Sequence, residues 1–331
     1  MFLKVGKLSV DMLKKCIFSN IGVKRPEVLV HSKIGEDCSI VQFGDNCCVL
    51  STDPITGARS SIGKLSVHIS CNDIASCGVE PLGILVTILV PRCCSEDDIL
   101  NLMNEINDAA TSINVEILGG HTEVTDAVNK IVISTTAVGK GPVGRFVTSS
   151  GTEAGDYIIV TKYAGLEGTS IIASDYEDYL KGKLGEDIVN EAKKYINMIS
   201  VVKEGVIGGK MGAKSMHDAT EGGLLGALWE VAEASGVGFE INEDDIPLTY
   251  ETKAICSAVK IDPLKLISSG MMVMTSKCKD ALIKSLKEQG INASCIGKII
   301  GDAKRRVLVS KGREKEVLPP QTDELFNIKI H

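Results

Sequence analysis

The stretch from Lys64 to Leu82, KLSVHISCNDIASCGVEPL, constrains the fold most, because a helical period runs straight into the apolar segment GILVTILV. Leu65, Ile69 and Ala75 and, less regularly, Val67 and Ile74 mark one apolar helix face, and Gly78 stands where a helix C-cap belongs. The last turns carry Asn72 and Asp73, a carboxamide beside a carboxylate just before a buried strand. Such a pair either belongs to a solvated helix end or faces a ligand. The polar residues that end other elements decide between these readings.

Residues 9–19 predict an opening helix, and Val28 to Val30 a short extended piece leading into IGEDCSIV, with Glu36 and Asp37 at a glycine hinge. CCVLSTDP, residues 47–54, predicts a strand that stops at Asp53 and Pro54. Ser95 and Asp98 approximate a capping box for a helix to about Ser112. VEILGGHTEVTD predicts a strand broken at Gly119 and Gly120, before Thr122 and Glu123, and IVISTTAVGKG a β-branched strand. Alternation of strands and helices is the pattern of an α/β domain.

Glycine, serine and threonine replace the apolar runs over residues 141–155, which predicts a first domain over 1–148 and a second over 149–331. In the second, DYIIVTKYAGLEG predicts a strand and a glycine-bounded turn, residues 185–210 a helical stretch, and SMHDATEGGLLGALWEVAEASGVGFEI a strand, glycine turn, helix and strand. Leu224, Leu225, Leu228, Val231 and Ala232 keep helical spacing, with Trp229 at the edge of the core.

A hydrophobic content of 44% with 24% charged residues describes a folded chain. A net charge of −7 argues against a phosphate-tracking surface, so nucleic acid is not an expected partner. Lys4, Lys7, Asp11, Lys14 and Lys15 interrupt the first apolar stretch, and no run approaches a membrane span; the expected compartment is the cytoplasm. The 11 cysteines contain no CxxC pair and are odd in number, which predicts reduced, buried thiols.

The acidic residues that end predicted elements are Asp37, Asp53, Asp73, Glu123 and, from the second domain, Asp218. Carboxylates brought into one cleft repel one another unless a hard cation neutralises them, and magnesium takes carboxylate and phosphate oxygens. A magnesium-nucleotide site accounts for them economically. Gly119, Gly120 and Thr122 could offer amides and a hydroxyl to phosphates, and Gly222 and Gly223 could do so at a helix start. There is no GxxxxGK[ST] and no strand-linked GxGxxG. His121 and His217 flank these sites and read as ordinary hydrogen-bonding residues.

In this order, GEDCSIV, STDP, NDIASCGVEPL, GGHTEV, HDATEGGL and DPLKLISSG resemble the aminoimidazole ribonucleotide synthetase superfamily, over nearly the whole chain. That superfamily includes formylglycinamidine synthase, selenophosphate synthetase, thiamine monophosphate kinase and the hydrogenase-maturation carbamoyl dehydratase. GKL at residues 6–8, IGEDCSIV and HDATEGGL resemble the last branch most. The resemblance implies a two-domain α/β (α+β) PurM-like fold, with an N-terminal domain that dimerises through its sheet and ATP with magnesium in a cleft near that interface. It implies that Asp37, Asp53 and Asp73 serve magnesium or phosphates with Asn72 beside them. Gly119, Gly120 and Thr122 would lie along the nucleotide, while Asp218 and the glycines after it would close the site. The implied chemistry is ATP-dependent activation of a substrate oxygen by phosphoryl transfer. A maturation partner protein is a further implication.

Three departures matter. The chain ends FNIKIH, without the terminal cysteine on which the hydrogenase-maturation enzyme works. His121 follows the double glycine where many relatives carry an acid, so Glu123 could take a metal role there. ISSG at 267–270 replaces an Asn-Glu-Gly type segment and removes a carboxylate. The alternatives to an enzyme of this branch are a non-catalytic nucleotide-binding maturation or regulatory protein and a phosphoribosylformylglycinamidine cyclo-ligase.

Overall fold

The computed structural model describes residues 6–58, 60–320 and 322–329. Helix α1 (Val10–Met12) continues as a π-helical turn over Leu13–Ile17, shorter than the expected opening helix. Six strands form the first sheet: β1 (Val28–Val30), β2 (Ser39–Phe43), β3 (Asn46–Ile55), β4 (Pro81–Val90), β5 (Glu116–Val124) and β6 (Val132–Pro142), in the order β1-β2-β3-β6-β4-β5. Only β4 and β5 run parallel. Helices α2 (Ile62–Ser76) and α3 (Glu96–Ser112) belong to the same domain. Ile74 and Ala75 of α2 and Leu102, Ile106 and Ala109 of α3 pack with Ile40, Val49, Ile84, Ile88 and Ile133 of the strands. The Ser95 and Asp98 capping box is formed, and Gly78, with φ +72°, sits just past the C-cap of α2.

Two strands differ from expectation. β3 does not stop at Asp53 and Pro54, because pairing with β6 continues to Ile55 against Ile133. β5 continues through the double glycine, but the register shifts just before it: pairing passes from Ile84–Ile117 to Leu85–Gly119 and Val86–Gly120, which leaves Leu118 as an extra residue, and the two glycines have φ +145° and +152°. A Cβ on Gly120 would lie 1.8 Å from the Val86 carbonyl oxygen, so glycine here admits the neighbouring strand. The other face of this sheet is left bare. Leu82, Leu85 and Leu118 are 58%, 44% and 46% exposed.

The second sheet contains β7 (Tyr157–Thr161), β8 (Ser215–Asp218), β9 (Gly238–Asn242), β10 (Met272–Ser276), β11 (Ala293–Ile300), β12 (Arg306–Ser310) and β13 (Arg313–Glu316), in the order β13-β12-β9-β11-β7-β10-β8. Its helices are α4 (Leu166–Asp175), α5 (Glu177–Leu184), α6 (Glu186–Lys193), α7 (Val202–Lys210), α8 (Gly223–Ser235), α9 (Tyr250–Val259) and α10 (Lys279–Glu288). Every residue of β10 is buried, because one core, with Leu224, Leu228 and Phe239, takes Val273, and another, with Met216, Leu282 and Leu286, takes Met272 and Met274. Trp229 is buried, with the Arg306 guanidinium 4.9 Å from its ring.

The expected continuous helical stretch over 185–210 is broken between α6 and α7 by a 3-10 turn, Lys194–Asn197, and an extended link. That break meets the first domain: Asn72 Nδ2 donates to the Ile199 carbonyl and the Val201 N–H donates to Asn72 Oδ1, both at 2.8 Å. Beside it α7 and α2 approach closely, since a Cβ on Gly205 would lie 2.1 Å from the Ala75 carbonyl oxygen. Glu36 accepts from the backbone N–H groups of Ser149 and Ser150 and so ties its loop to the connection between the sheets.

No helix among the described residues is long and apolar enough to cross a membrane. The cysteines are unpaired, but burial is uneven: Cys38, Cys47, Cys71, Cys77 and Cys256 are buried while Cys16, Cys93 and Cys278 are exposed.

Candidate functional site

β3 and α2 pack side by side in the first domain, which sets Asp53 and Asp73 on one wall of a cleft of about 310 Å³. Ser51 Oγ donates to Asp73 Oδ2 and lies 3.4 Å from Asp53 Oδ2. Asp37 enters from the turn before β2, and β8 carries Asp218 in from the second domain. Carboxylate oxygens of Asp37, Asp73 and Asp218 all lie within 4.8 Å of one another. Asp218 Oδ1 accepts from Ser76 Oγ at 3.3 Å, whereas its buried Oδ2 has no hydrogen-bond partner.

Such crowding raises the cost of ionisation. Burial pushes the Asp73 carboxyl well above the ordinary carboxylate range, and the charges on Asp218, Asp53 and Asp37 add to it. Burial, with Asp37 next, pushes Asp218 up to about 7. His217 offers a partial countercharge: its Nδ1 is 2.7 Å from Asp37 Oδ2 and its Nε2 is 3.0 Å from Glu230 Oε2. Burial alone would lower its pKa, but Asp37 and Glu230 outweigh it and hold the imidazolium well above its ordinary value. His217 is therefore an ion-paired residue of the site, more than the ordinary hydrogen-bonding histidine expected.

The donor set is all oxygen, drawn from three carboxylates with an unpartnered oxygen among them. Those are the ligands a hard divalent cation such as magnesium prefers. The residues present fit that ion.

Asp37, Asp53, Asp73 and Asp218 are thus brought to one place. Asn72 is buried and stands apart, both atoms of its amide holding the second domain. Gly222 and Gly223 do begin α8, but the Gly222 N–H donates to Asp323 Oδ2 at 2.7 Å, so a carboxylate of this chain already sits at that helix start. Gly119, Gly120, Thr122 and Glu123 are exposed on β5, at the edge of the sheet and outside the cleft lining. Glu123 Oε2 lies 3.2 Å from His121 Nε2 there.

The cleft also contains residues to which the motifs assigned no role, although Lys7 stands in GKL and Ser269 in ISSG. Lys7 is the only cation among the described residues that line it, and its backbone N–H donates to Glu221 Oε2 at 3.3 Å. Burial would lower the Lys7 ammonium pKa, yet Glu230, Asp37, Glu221 and Asp53 together raise it. Glu167, in the first turn of α4, and Asp323 line the opposite wall with Ser269. Burial pushes their carboxyls up to about 7 and about 6. The only sequence signal for Glu167 was the glycine-bounded AGLEG turn after β7.

Two sheet-and-helix domains of this order, with an acidic cleft where they meet, define the PurM-like fold. The chain belongs to the AIR synthase related protein family: the N-terminal domain model matches residues 35–140 and the C-terminal domain model residues 153–310. A Methanocaldococcus jannaschii protein named for hydrogenase expression/formation is 30% identical over 301 residues, 88% of each chain. Carbamoyl dehydratase HypE of Rhizobium leguminosarum bv. viciae is 27% identical over 281 residues, 82% of this chain and 78% of that one. HypE from a HypE–HypF complex superposes with a TM-score of 0.77 at 21% identity, covering 93% of this chain and 99% of the other. HypE bound to ATP gives 0.69 at 19%, covering 97% of each. The resemblance carried by the ordered motifs holds, and the chain lies in the HypE-like branch. Ile330 and His331, the end of FNIKIH, lie outside the described residues.

Proposed function

We propose that this chain is an ATP-dependent, magnesium-requiring enzyme that activates an oxygen of a small substrate by phosphoryl transfer. The observation that carries the reading is the meeting of buried Asp218 of the second domain with Asp37 and Asp73, which line the cleft beside Asp53 and Lys7. Asp37, Asp73 and Asp218 would hold the ion, with Asp53 alongside, and magnesium would supply neutralisation of phosphate charge. Lys7 faces the same region and can bind a phosphate oxygen. His217 holds Asp37 in place, and Ser51 orients Asp73. Support from relatives comes from the HypE carbamoyl dehydratases and a HypE structure with ATP.

The active form on this reading is a homodimer. The bare face of the first sheet, with Leu82, Leu85 and Leu118, fits a second copy, and Gly119, Gly120, Thr122 and Glu123 would serve a nucleotide from that interface. A relative's complex with HypF favours a maturation partner as well. Free thiols fit a reducing compartment, and we place the protein in the cytoplasm.

Calorimetric titration with a nonhydrolysable ATP analogue, with and without magnesium, tests the core of this reading. Binding that requires magnesium is the expected result. No binding in either condition would overturn it.

A further inference from the structure

We propose that Cys93 and Cys94 form a dithiol site that holds a soft, thiophilic centre such as trivalent arsenic between two sulfurs. The site lies apart from the cleft, whose lining contains neither residue, and is independent of the nucleotide reading.

Adjacent cysteines occur twice in the chain, and the local backbone decides what each pair can do. Cys47 and Cys48 lie in β3, where alternation sends neighbouring side chains to opposite faces. Cys47 is buried and its thiol donates to the Gly141 carbonyl at 3.4 Å, while Cys48 is half-buried on the other face. Cys93 and Cys94 stand past the end of β4, in a turn closed by the Cys94 N–H, which donates to the Pro91 carbonyl at 3.2 Å. The turn removes the alternation, and the two thiols hydrogen-bond each other. Two thiolates bonded at about 2.3 Å to one tetrahedral centre stand roughly 3.8 Å apart, about the span of such a bond between sulfurs.

Access and chemistry fit the same use. Cys94 packs half-buried against the first core, which fixes one sulfur, and Cys93 is exposed, which admits a ligand. Cys38 and Cys77 also bring their thiols together, but at 5% and 6% exposure they are closed to one. Asp98 stands near Cys94, yet its Oδ2 accepts from the Ser95 backbone N–H and hydroxyl, both at 2.8 Å. Among the described residues no third His, Cys, Asp or Glu ligand joins the two sulfurs, so the centre keeps a position open to an outside group. Sulfur selects soft centres and leaves magnesium to the oxygens of Asp37, Asp73 and Asp218. Burial raises the Cys94 thiol, with Cys93 and Asp98 adding to it, so the pair gives up its protons on binding. With phenylarsine oxide both S–H bonds break and two As–S bonds form. The two protons leave with the arsenic-bound oxygen as water, and arsenic stays trivalent.

The test is intact-mass spectrometry of the reduced full chain after treatment with phenylarsine oxide, in excess 2-mercaptoethanol so that only a chelate is retained. One phenylarsenic group per chain is expected, and 2,3-dimercaptopropanol should release it. Cys93→Ser should weaken retention by about a hundredfold or more, the advantage of an intramolecular second ligand. Its thermal midpoint should stay unchanged, because Cys93 is exposed. Cys94→Ser should lose the group as well, whereas Cys48→Ser and Cys77→Ser should keep it. If Cys94→Ser is destabilised through its core contact, Cys93→Ser decides alone. No retention by the wild type, or equal retention by Cys93→Ser, overturns the site. A group that survives in Cys93→Ser and is lost in Cys77→Ser would sit at the buried pair, which also overturns it.

Discussion

The backbone N–H of Val201 donates to Asn72 Oδ1 at 2.8 Å, so a side chain of helix α2 holds the break between α6 and α7. The opposite atom of the same amide holds Ile199, and Asp73, the next residue, faces the cleft. One turn of helix thus joins the domains with one residue and lines the site with its neighbour. Asn72→Ala removes both bonds and leaves a buried N–H and carbonyl unpaired. A loss of about 2–4 kcal/mol is expected, read as a lower midpoint in thermal unfolding. A normal midpoint with lost nucleotide binding would instead make Asn72 a ligand contact.

Asp73→Asn separates stability from function. The aspartate is buried among three other acids, and the amide keeps its size while removing a repelled charge. The metal-free variant should therefore unfold at a higher temperature than the wild type near pH 8. Magnesium-dependent binding of an ATP analogue should fall by about tenfold or more, since a carboxylate ligand has been removed. Equal affinity in calorimetry would remove Asp73 from the ion's ligands.

These two residues mark the limit of what could be read in the sequence. The period of Leu65 and Ile69 and the glycine after Ser76 were enough to place α2, and the ordered motifs to place the fold. Whether Asn72 faced a ligand or a neighbouring backbone depended on a loop 127 residues away, which no local spacing records. The double glycine misled for a related reason. Glycine often marks a turn, but at Gly120 it serves the close approach of Val86 across a strand pair. Asp37, Asp53, Asp73 and Asp218 were legible because each lies close to the end of a strand or helix, although Asp53 and Asp73 stand inside theirs. Glu167 was not, because its partner in the cleft wall, Ser269, lies on a different element.

Acid groups raised by burial make the metal-free protein lose stability as pH rises. The folded state keeps protons on Asp218, raised to about 7, and on Glu167 and Asp323, raised to about 7 and about 6. Unfolded, the same groups release them near 4. Their contribution is fully present below roughly pH 4 and is lost as pH climbs through roughly 6 to 7. His217, raised by Asp37 and Glu230 against the effect of burial, acts in the same direction. A cation held by Asp37, Asp73 and Asp218 would compete with the protons on Asp73 and Asp218. Magnesium should consequently raise the thermal midpoint more at pH 8 than at pH 5.5; an equal shift at both would argue against binding at this cluster.

Gly119 and Gly120 have nearly the same backbone conformation but different surroundings, which allows strain to be separated from steric clash. With φ +145° and +152°, both resist a side chain. A Cβ on Gly119 meets only the Leu85 side chain, at 4.0 Å, whereas one on Gly120 would strike the Val86 carbonyl at 1.8 Å. Gly119→Ala should cost about 1–3 kcal/mol from conformation alone. Gly120→Ala should cost more, because β5 must also move off β4, and amide hydrogen exchange along Glu116–Val124 should speed up in that variant first. Faster exchange in Gly119→Ala than in Gly120→Ala would mean that the strand pairing described here does not hold in solution. Should both variants keep their stability and lose only nucleotide binding, the double glycine acts on phosphate, as its resemblance implies, and the close approach to Val86 is incidental.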